Sequence, residues 1–423
     1  MRNKYTNVFS FILFIIFCLC SCTTSHIQPD ISTPEQFYYS FLSVTKYTSK
    51  KKRQAAAEQL YRTACSKNRE PLVFGSSVVF LYNADRSRPL KKVEIRGDLN
   101  GWFFNDTYPA IPLEQIPDTT FYISRPVKID SAARIDYKVV IDGGTWLLDP
   151  GNPRISYGGF GPNSEFSMPE YKASLWTAPQ KDVPQGTIIK NKRIHSDSLG
   201  YDVQYSVYLP AGYTSSRKYP VLFTTDGEEY SDQKLGNVPV TADNLIAAGR
   251  IEPVIIVFVD PRNPDRLEQN RREQEYACNT KYVSFLAGGL YPEIVSRYSV
   301  SVGPDKTGIL GTSFGGINSA YTVLVRPDIF GLAAIQSPAI RYLTYDNSSL
   351  LSWYSTSPRA AVSKIWIDAG TVFDTSDESE LFMELLKKKG YSNISYHEYP
   401  ESHSWGSWKN RIPDILIYLF PAP

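Results

Sequence analysis

The chain has 423 residues, of which 42% are hydrophobic and 21% are charged. This length and composition are typical of a globular protein with two domains and connecting segments. The formal net charge is only +2, and Arg2 and Lys4 account for that excess. Nucleic-acid binding generally requires a strongly basic surface, so the balanced charge argues against a nucleic-acid partner.

The chain contains five cysteines: Cys18, Cys20, Cys22, Cys65 and Cys278. Three of them lie near the N-terminus, so the rest of the chain has too few for a disulfide framework or a cysteine-based metal cluster. We predict neither a metal nor an organic cofactor. Cys65 and Cys278 are either two unpaired cysteines, which is the simpler interpretation, or one disulfide bridge.

The first residues have the pattern of a bacterial targeting signal. Two basic residues precede an apolar run at 8–19 that is too short to span a bilayer comfortably. The run ends in Leu19-Cys20-Ser21-Cys22, which resembles the lipobox of bacterial lipoproteins. The resemblance implies a signal peptide over 1–21, a diacylated Cys22 and anchoring to a membrane of the bacterial cell envelope. The alternative is an ordinary secretory signal.

The segment 22–72 is expected to be a lipidated tether followed by helix, because apolar residues recur at helical spacing over 34–67. From about residue 73 the period changes to two, and turn-forming residues separate short alternating stretches. This pattern predicts an all-β sandwich over 73–170.

Three motifs within 73–170 are more specific: Gly97-Asp98-Leu99-Asn100-Gly101-Trp102, Tyr137-Lys138 and Trp146-Leu147-Leu148-Asp149-Pro150. Together they resemble the immunoglobulin-like early-set domain that is related to glycogen-binding modules. In its sugar-binding members, the positions of Trp102, Lys138 and Trp146 contact glucose rings, and flat aromatic faces suit that stacking. The preferred alternative is that these residues form the core or rim of a docking domain without a sugar ligand.

A linker rich in proline and polar residues is expected over 171–189, and a second domain over 190–423. In this domain short β-rich runs, such as 254–259, alternate with helical patterns. Such alternation predicts an α/β fold with a mostly parallel sheet and helices on both faces.

The motif Gly311-Thr312-Ser313-Phe314-Gly315 lies between a short apolar strand and an amphipathic helix. This context is typical of a nucleophile elbow, in which small residues let strand and helix approach and a strained turn exposes the serine. We predict that Ser313 is a catalytic nucleophile.

A serine hydroxyl needs a base to become a good nucleophile. Of the four histidines, His403 lies between the last predicted strand and the last predicted helix, where an α/β-hydrolase carries its general base. The acid is expected in the loop after the strand at 364–367. Asp368, Asp374, Asp377 and Glu378 compete there, and Asp374 is preferred because it lies in the middle of the loop. A serine–histidine pair without an acid stays open.

An oxyanion hole requires two N–H donors. The N–H of Phe314, directly after the nucleophile, is the first candidate. The second is the N–H of Glu228, which follows the predicted strand at 219–225, with Gly227 as the second choice.

Several segments of 190–423 carry a further resemblance: Val207-Tyr208-Leu209-Pro210, Asp226-Gly227-Glu228, the turn at Ser313, Arg326-Pro327-Asp328 and Ala334-Ile335-Gln336-Ser337-Pro338. They resemble the enterochelin esterase family, also called the putative esterase or esterase D-like family. The resemblance implies an α/β-hydrolase fold and cleavage of small-molecule carboxylic esters, including catecholate siderophore lactones, through a covalent acyl-enzyme. Thr225 and the stretch around Asp374 depart from the family pattern.

Other functions use the same residues and stay open. They are hydrolysis of feruloyl or acetyl esters on glycans, acyl transfer to a sugar, and glycan binding by a lipoprotein without catalysis. Arg262, Arg266, Arg271 and Arg272 form a basic cluster that would suit an anionic siderophore. The acidic residues between them favour a solvated loop instead.

Overall fold

The computed structural model describes residues 33–67, 71–85, 90–103, 106–343 and 348–423. The predicted signal peptide and Cys22 lie outside these residues, and so does the side chain of Cys65. Within the described ranges, no helix is both long and apolar enough to cross a membrane.

Two helices, α1 (Pro34–Ser43) and α2 (Lys50–Lys67), precede the first strand. Thr33 caps α1, because its hydroxyl accepts a hydrogen bond from the N–H of Gln36 at 3.1 Å. Phe37 and Phe41 are fully buried and pack with apolar residues of α2 and of the strands that follow. The helical part of the predicted tether is therefore packed against the rest of the chain.

The segment 72–167, which we call the β-rich unit, consists of short strands. They are β1 (Leu72–Phe74), β2 (Ser77–Val79), β3 (Leu81–Asn83), β4 (Val93–Gly97), β5 (Ile111–Gln115), β6 (Phe121–Ser124), β7 (Val127–Lys128), β8 (Arg134–Ile141), β9 (Thr145–Leu147), β10 (Ile155–Gly158) and β11 (Gly161–Ser167). One sheet has the order β10-β11-β8-β4-β5-β6-β3, with β9 beside β8, and a smaller sheet has the order β1-β2-β7. A core that includes Phe80, Tyr137 and Phe166 holds this unit together.

The remainder of the chain is a mixed α/β domain, as predicted. Its strands are β12 (Thr187–Ser196), β13 (Tyr201–Leu209), β14 (Val221–Thr224), β15 (Ile255–Asp260), β16 (Arg262–Asn263), β17 (Arg266–Asn270), β18 (Thr307–Thr312), β19 (Leu332–Gln336), β20 (Lys364–Gly370) and β21 (Ile394–Tyr399). The main sheet has the order β12-β13-β15-β14-β18-β19-β20-β21. β12, β13 and β15 pair antiparallel, whereas the pairs from β15 to β21 are parallel. β12 begins within the segment predicted as linker.

The helices of this domain lie between the strands along the chain. They are α3 (Gly227–Ser231), α4 (Val238–Ala247), α5 (Arg272–Tyr276), α6 (Thr280–Phe285), α7 (Tyr291–Arg297), α8 (Phe314–Val325), α9 (Leu350–Thr356), α10 (Ser376–Lys388) and α11 (Trp405–Leu419). Successive strand residues point to opposite faces of a sheet. Accordingly, Phe223 and Ile309 belong to one apolar cluster, and Leu222 and Leu310 belong to the other.

Glu275 of α5 is a buried carboxyl group whose ionisation opposes folding. Its Oε1 accepts a hydrogen bond from the Tyr201 hydroxyl at 2.9 Å, whereas its buried Oε2 has no partner among the described residues. Burial raises the pKa of Glu275 to about 8. The folded state therefore binds this proton more tightly than the unfolded state. Between the two pKa values the free energy of unfolding falls as the pH rises.

We expect the Glu275→Gln variant to lose most of this pH dependence, because its side chain cannot ionise. The free energy of unfolding is measured with urea at about pH 5 and about pH 8. Between these two pH values it should fall by roughly 1–4 kcal/mol more for the wild type than for the variant. The exposed Glu268 provides the matched control, and Glu268→Gln should behave as the wild type. Parallel pH profiles for wild type and Glu275→Gln would contradict the raised pKa.

Candidate active site

The segments that carry the predicted site residues emerge at one edge of the main sheet. β14, β18, β19, β20 and β21 run parallel, so their carboxyl ends meet there. Residues 226–228 follow β14, Ser313 follows β18, Asp374 follows β20 and His403 follows β21. The sheet therefore brings together residues that are far apart in the sequence.

Ser313 lies on the turn between β18 and α8. Its φ of 59° and ψ of −117° fall in a sparsely populated region for a non-glycine residue. Its N–H donates to the carbonyl oxygen of Gln336 at 3.0 Å, which fixes the turn against β19. The strained conformation is the one that a nucleophile elbow requires.

The glycines of the elbow are required by close packing. A Cβ at Gly311 would lie 2.2 Å from the carbonyl oxygen of Gly315, and a Cβ at Gly315 would lie 2.2 Å from Oγ1 of Thr225. Any larger side chain would push the strand and the helix apart. Thr225, one of the departures from the family pattern, fills the space beside both glycines.

His403 and Asp374 lie together although they follow different strands. Nδ1 of His403 is 2.7 Å from Oδ1 of Asp374. The Asp374 side chain is fully buried, whereas about a third of the His403 side chain is exposed (35%). The imidazole is thus hydrogen-bonded to a buried group through Nδ1 while part of the side chain is accessible to solvent.

Asp374 is held as an anion. Its Oδ2 accepts hydrogen bonds from the Ser337 hydroxyl and the Gly370 N–H, both at 2.6 Å. Burial raises the pKa of this carboxyl, but His403, Arg411 and Ser337 together outweigh burial, so the pKa lies below its ordinary value. An ionised carboxylate only accepts hydrogen bonds, so Nδ1 of His403 carries a proton. In neutral imidazole, Nε2 is then free to accept one.

The other acids weighed for this role lie elsewhere. Asp368 is within β20, and Asp377 and Glu378 are in the first turn of α10, where the helix dipole favours acidic residues. Of these four carboxylates, Asp374 is the one that the structure places against His403.

A buried ionic cluster, which was not apparent from the sequence, lies beneath the loops that carry Asp374 and His403. The fully buried guanidinium of Arg411 lies 2.8 Å from Asp368 Oδ1 and 3.1 Å from Glu401 Oε2. Trp366 donates to the second oxygen of Asp368 at 2.7 Å. Arg411 therefore joins α11, β20 and the segment that carries His403. The available signal was that Trp408 and Ile415, which lie three residues before and four residues after Arg411 on the last helix, are both apolar.

The predicted oxyanion donors lie at two neighbouring helix starts. Phe314 is the first residue of α8, and Glu228 is in the first turn of α3. The first N–H groups of a helix have no partner within the helix, so they are available to an anion. β14 and β18 are adjacent, which places the two helix starts at neighbouring strand ends. Gly227, the second choice, packs against the backbone of Phe258.

Arg272 supports this part of the site. Its guanidinium makes two hydrogen bonds with the carboxylate of Asp226, at 2.9 and 3.0 Å, and lies 5.4 Å from the centre of the Phe314 ring. Asp226 has a left-handed backbone conformation with φ of 46°. The pair therefore connects the two segments that carry the candidate N–H donors.

The predicted basic cluster is not one free cationic patch. Besides Arg272, Arg262 is engaged by Asp260 at 2.7 Å, and Arg271 lies 3.9 Å from the centre of the Tyr201 ring. Arg266 is exposed on β17. Two of the four arginines are thus neutralised by partners within the chain.

The residues considered for sugar binding lie in the β-rich unit. The rings of Trp102 and Trp146 stack on each other, with centroids 6.2 Å apart and an interplanar angle of 23°. Nε1 of Trp102 donates to Asp98 at 3.0 Å. Lys138 is partly buried on β8. Glycan contact through these residues stays a prediction.

A histidine supported by a buried aspartate, at the sheet edge where a serine interrupts a strand–helix turn, is characteristic of hydrolases of the α/β-hydrolase type. The family model described as putative esterase matches residues 196–419, more than half of the chain. The chain therefore belongs to the enterochelin esterase-like putative esterase family, as predicted, and is a carboxylic ester hydrolase.

Individual relatives and solved structures agree with this family. An uncharacterized protein of Bacillus subtilis, YjcH, is 26% identical over 240 residues, which are 55% of this chain and 98% of that protein. The endo-1,4-beta-xylanase/feruloyl esterase of Xylanibacter ruminicola is 28% identical over 297 residues, covering 67% of this chain and 38% of that one. The iron(III) enterobactin esterase of Escherichia coli K12 is 25% identical over 233 residues, covering 55% and 54%.

The crystal structure of the ferric enterobactin esterase of Salmonella typhimurium has a TM-score of 0.67 against this chain at 16% identity, covering 81% of this chain and 93% of that one. The structural similarity to this enzyme covers more of the chain than the match to the family model does. The two chains share a fold.

We expect Asp374→Asn to lower kcat for p-nitrophenyl butyrate by roughly 10²–10⁴-fold with little change in KM, because the amide no longer holds the tautomer that leaves Nε2 basic. Asp377→Asn, on the exposed first turn of α10, is the matched control and should retain wild-type rates. Equal rates for wild type and Asp374→Asn would show that the carboxylate has no part in catalysis.

Proposed function

We propose that this protein is a serine ester hydrolase that acts through a covalent acyl-enzyme and is anchored by lipid in the bacterial cell envelope. The observation that carries the reaction is the 2.7 Å contact between His403 Nδ1 and the buried Asp374, on loops that neighbour the strained Ser313. The contact orients the imidazole and leaves its Nε2 as the base.

In the acylation step, Nε2 of His403 takes the proton from Ser313 Oγ while Oγ attacks the ester carbonyl carbon. The charge that develops on the carbonyl oxygen is stabilised by the N–H groups of Phe314 and Glu228. Nε2 then gives its proton to the leaving alcohol, the carbon–oxygen bond of the ester breaks, and the acyl group stays on Oγ.

Deacylation repeats these transfers with water. His403 removes one proton from a water molecule, and the resulting hydroxyl oxygen adds to the acyl carbon. The bond to Ser313 Oγ then breaks, Oγ recovers the proton from His403, and the free carboxylic acid leaves.

We assign the substrate to the lactones of catecholate siderophores. The support is the fold shared with the Salmonella ferric enterobactin esterase over most of both chains. Feruloyl esters on glycans are the second candidate. They are favoured by the Xylanibacter feruloyl esterase relative, which has higher identity over more of this chain than the enterobactin esterase relative of Escherichia coli.

The two candidates are separated by measuring kcat/KM of the chain from Thr23 onward on enterobactin, ferric enterobactin and a feruloylated arabinose oligosaccharide. We expect the siderophore lactone to be preferred at least about tenfold, a difference of about 1.4 kcal/mol in transition-state stabilisation. The reverse preference would assign the glycan ester. Hydrolysis that persists in Ser313→Ala would refute the proposed nucleophile.

The lipid anchor is tested on the full chain expressed in a bacterium. We expect the wild type to enter the detergent phase of a Triton X-114 extract and Cys22→Ser to stay in the aqueous phase, because the acyl chains on Cys22 supply the membrane affinity. Cys278→Ser is the control and should partition as the wild type. Aqueous partition of the wild type would leave an ordinary secretory signal as the explanation.

A further inference from the structure

The segment 400–404, which carries His403 and which we call the base loop, contacts the β-rich unit. Arg134, the first residue of β8, donates from Nη1 to the hydroxyl of Ser404 at 3.3 Å. A Cβ built at Gly406 would lie only 2.0 Å from the guanidinium carbon of Arg134. The guanidinium therefore occupies the space beside the start of α11, directly after the base loop.

Arg134 is held in place by two acidic residues of the β-rich unit. Its guanidinium is buried and lies 2.8 Å from Asp136 and 2.5 Å from Glu165, on the neighbouring strands β8 and β11. Two carboxylates thus hold the same guanidinium that donates to Ser404. Such a group behaves as a fixed point, because a buried cation cannot leave its partners without a large cost.

A second buried acidic residue of the β-rich unit, Asp98, has its pKa affected by Ser402 of the base loop. Asp98, which follows β4, is buried, and its carboxylate accepts from the N–H of Asp136 at 2.7 Å and from Nε1 of Trp102 at 3.0 Å. Burial and the charge of Asp136 raise the pKa of Asp98 to about 7, whereas the hydroxyl of the buried Ser402 lowers it. Ser402 and Ser404 flank His403, and among the described residues the hydrogen bond between the β-rich unit and the base loop is the one from Arg134 to Ser404.

The loop that carries Asp374 meets the same unit. The ring of Phe373 makes an edge contact with Tyr108 at 4.9 Å and lies against Gly101, where an added Cβ would be 2.8 Å from it. The N–H of Val372 donates to the carbonyl oxygen of Glu401 at 3.1 Å, which joins this loop to the base loop. The β-rich unit therefore contacts both of the loops that carry the partners of the His403–Asp374 hydrogen bond.

We propose that Arg134 is a positioning residue for the ester hydrolysis, through which the β-rich unit holds the base loop and so fixes His403 relative to Ser313. Arg134 touches neither the substrate nor the reacting atoms and acts through Ser404 and Gly406. The inference rests on the proposed role of His403 as the base. Small displacements of a catalytic group are costly, since about 1 Å can reduce the rate roughly 10²-fold.

The test is a double-mutant cycle on the chain from Thr23 onward, with p-nitrophenyl butyrate as the substrate. We expect Arg134→Ala to lower kcat about ten- to hundredfold with KM changed less than about twofold. Gly406→Ala should also lower kcat, because its methyl group displaces the guanidinium. In the Arg134→Ala background the space is empty, so adding Gly406→Ala should cost less than about twofold further.

Controls separate positioning from loss of folding and from failure of the proposed mechanism. Arg125→Ala removes an exposed arginine of the same unit that pairs with Glu114, and it should keep the wild-type kcat. Rates are divided by the concentration of active sites titrated with a fluorophosphonate, so unfolded protein does not lower the measured kcat. The downfield proton resonance of His403 Nδ1–H should shift or broaden in Arg134→Ala and stay unchanged in Arg125→Ala.

The inference would be overturned if Arg134→Ala kept a kcat per titrated site within about twofold of the wild type. It would also be overturned if the fold reduction in kcat of the double variant equalled the product of the reductions in the two single variants. In either case an inactive Ser313→Ala would leave the proposed function intact. Full activity in Ser313→Ala would instead refute the proposed function itself.

Discussion

The hydrogen bond between His403 and Asp374 is the constraint on which the arrangement of the site depends. Its two partners lie on loops that follow neighbouring strands, β20 and β21, so the bond requires both loops to be fixed. A surface carboxylate would hydrogen-bond to water and hold the imidazole weakly. Asp374 instead sits in the interior, where Ser337 and Gly370 satisfy its second oxygen. The low dielectric strengthens the remaining bond to the histidine.

The side chains that hold the loops of Asp374 and His403 are charged and buried, and such side chains are uncommon in a protein interior. Arg411 binds Asp368 and Glu401 from within the α/β domain, and Arg134 reaches Ser404 from the β-rich unit. Ionic clusters of this kind contribute little net stability compared with apolar packing, but they accept only a narrow range of geometries. Their value here is therefore precision: the base loop is positioned by groups that have fixed directions.

Local pattern and chemistry in the sequence were enough to select candidate site residues. Ser313 and His403 could be selected because one lies in a glycine-bounded turn between strand and helix, and the other between the final strand and helix. Four acids competed for the third position, and Asp374 was preferred only for its place in the middle of the loop, since the loop sequence does not show which carboxylate turns inward. The lipidation of Cys22 and the sugar contacts of Trp102, Lys138 and Trp146 stay predictions.

What the sequence could not reveal depends on contacts between distant segments. Arg272 was predicted to lie in a basic cluster or a solvated loop, but it forms an ion pair with Asp226, 46 residues away, in which Asp226 is buried and Arg272 is partly buried. Arg134 begins a strand with an ordinary alternating pattern, and nothing nearby indicates Ser404. In each case a partner that holds the arginine lies far along the chain, so the local sequence does not show where the guanidinium is held.

The separation between Arg134 and Ser404 also determines when the site can form. The two residues are 270 positions apart, and the base loop follows every strand of the main sheet along the chain. Closing so long a loop costs entropy that is recovered only when both units are already compact. A nascent chain therefore carries its serine elbow without a base while the 90 residues from Ser313 to His403 are added. The catalytic geometry is thus completed only after the strands of both units have been made.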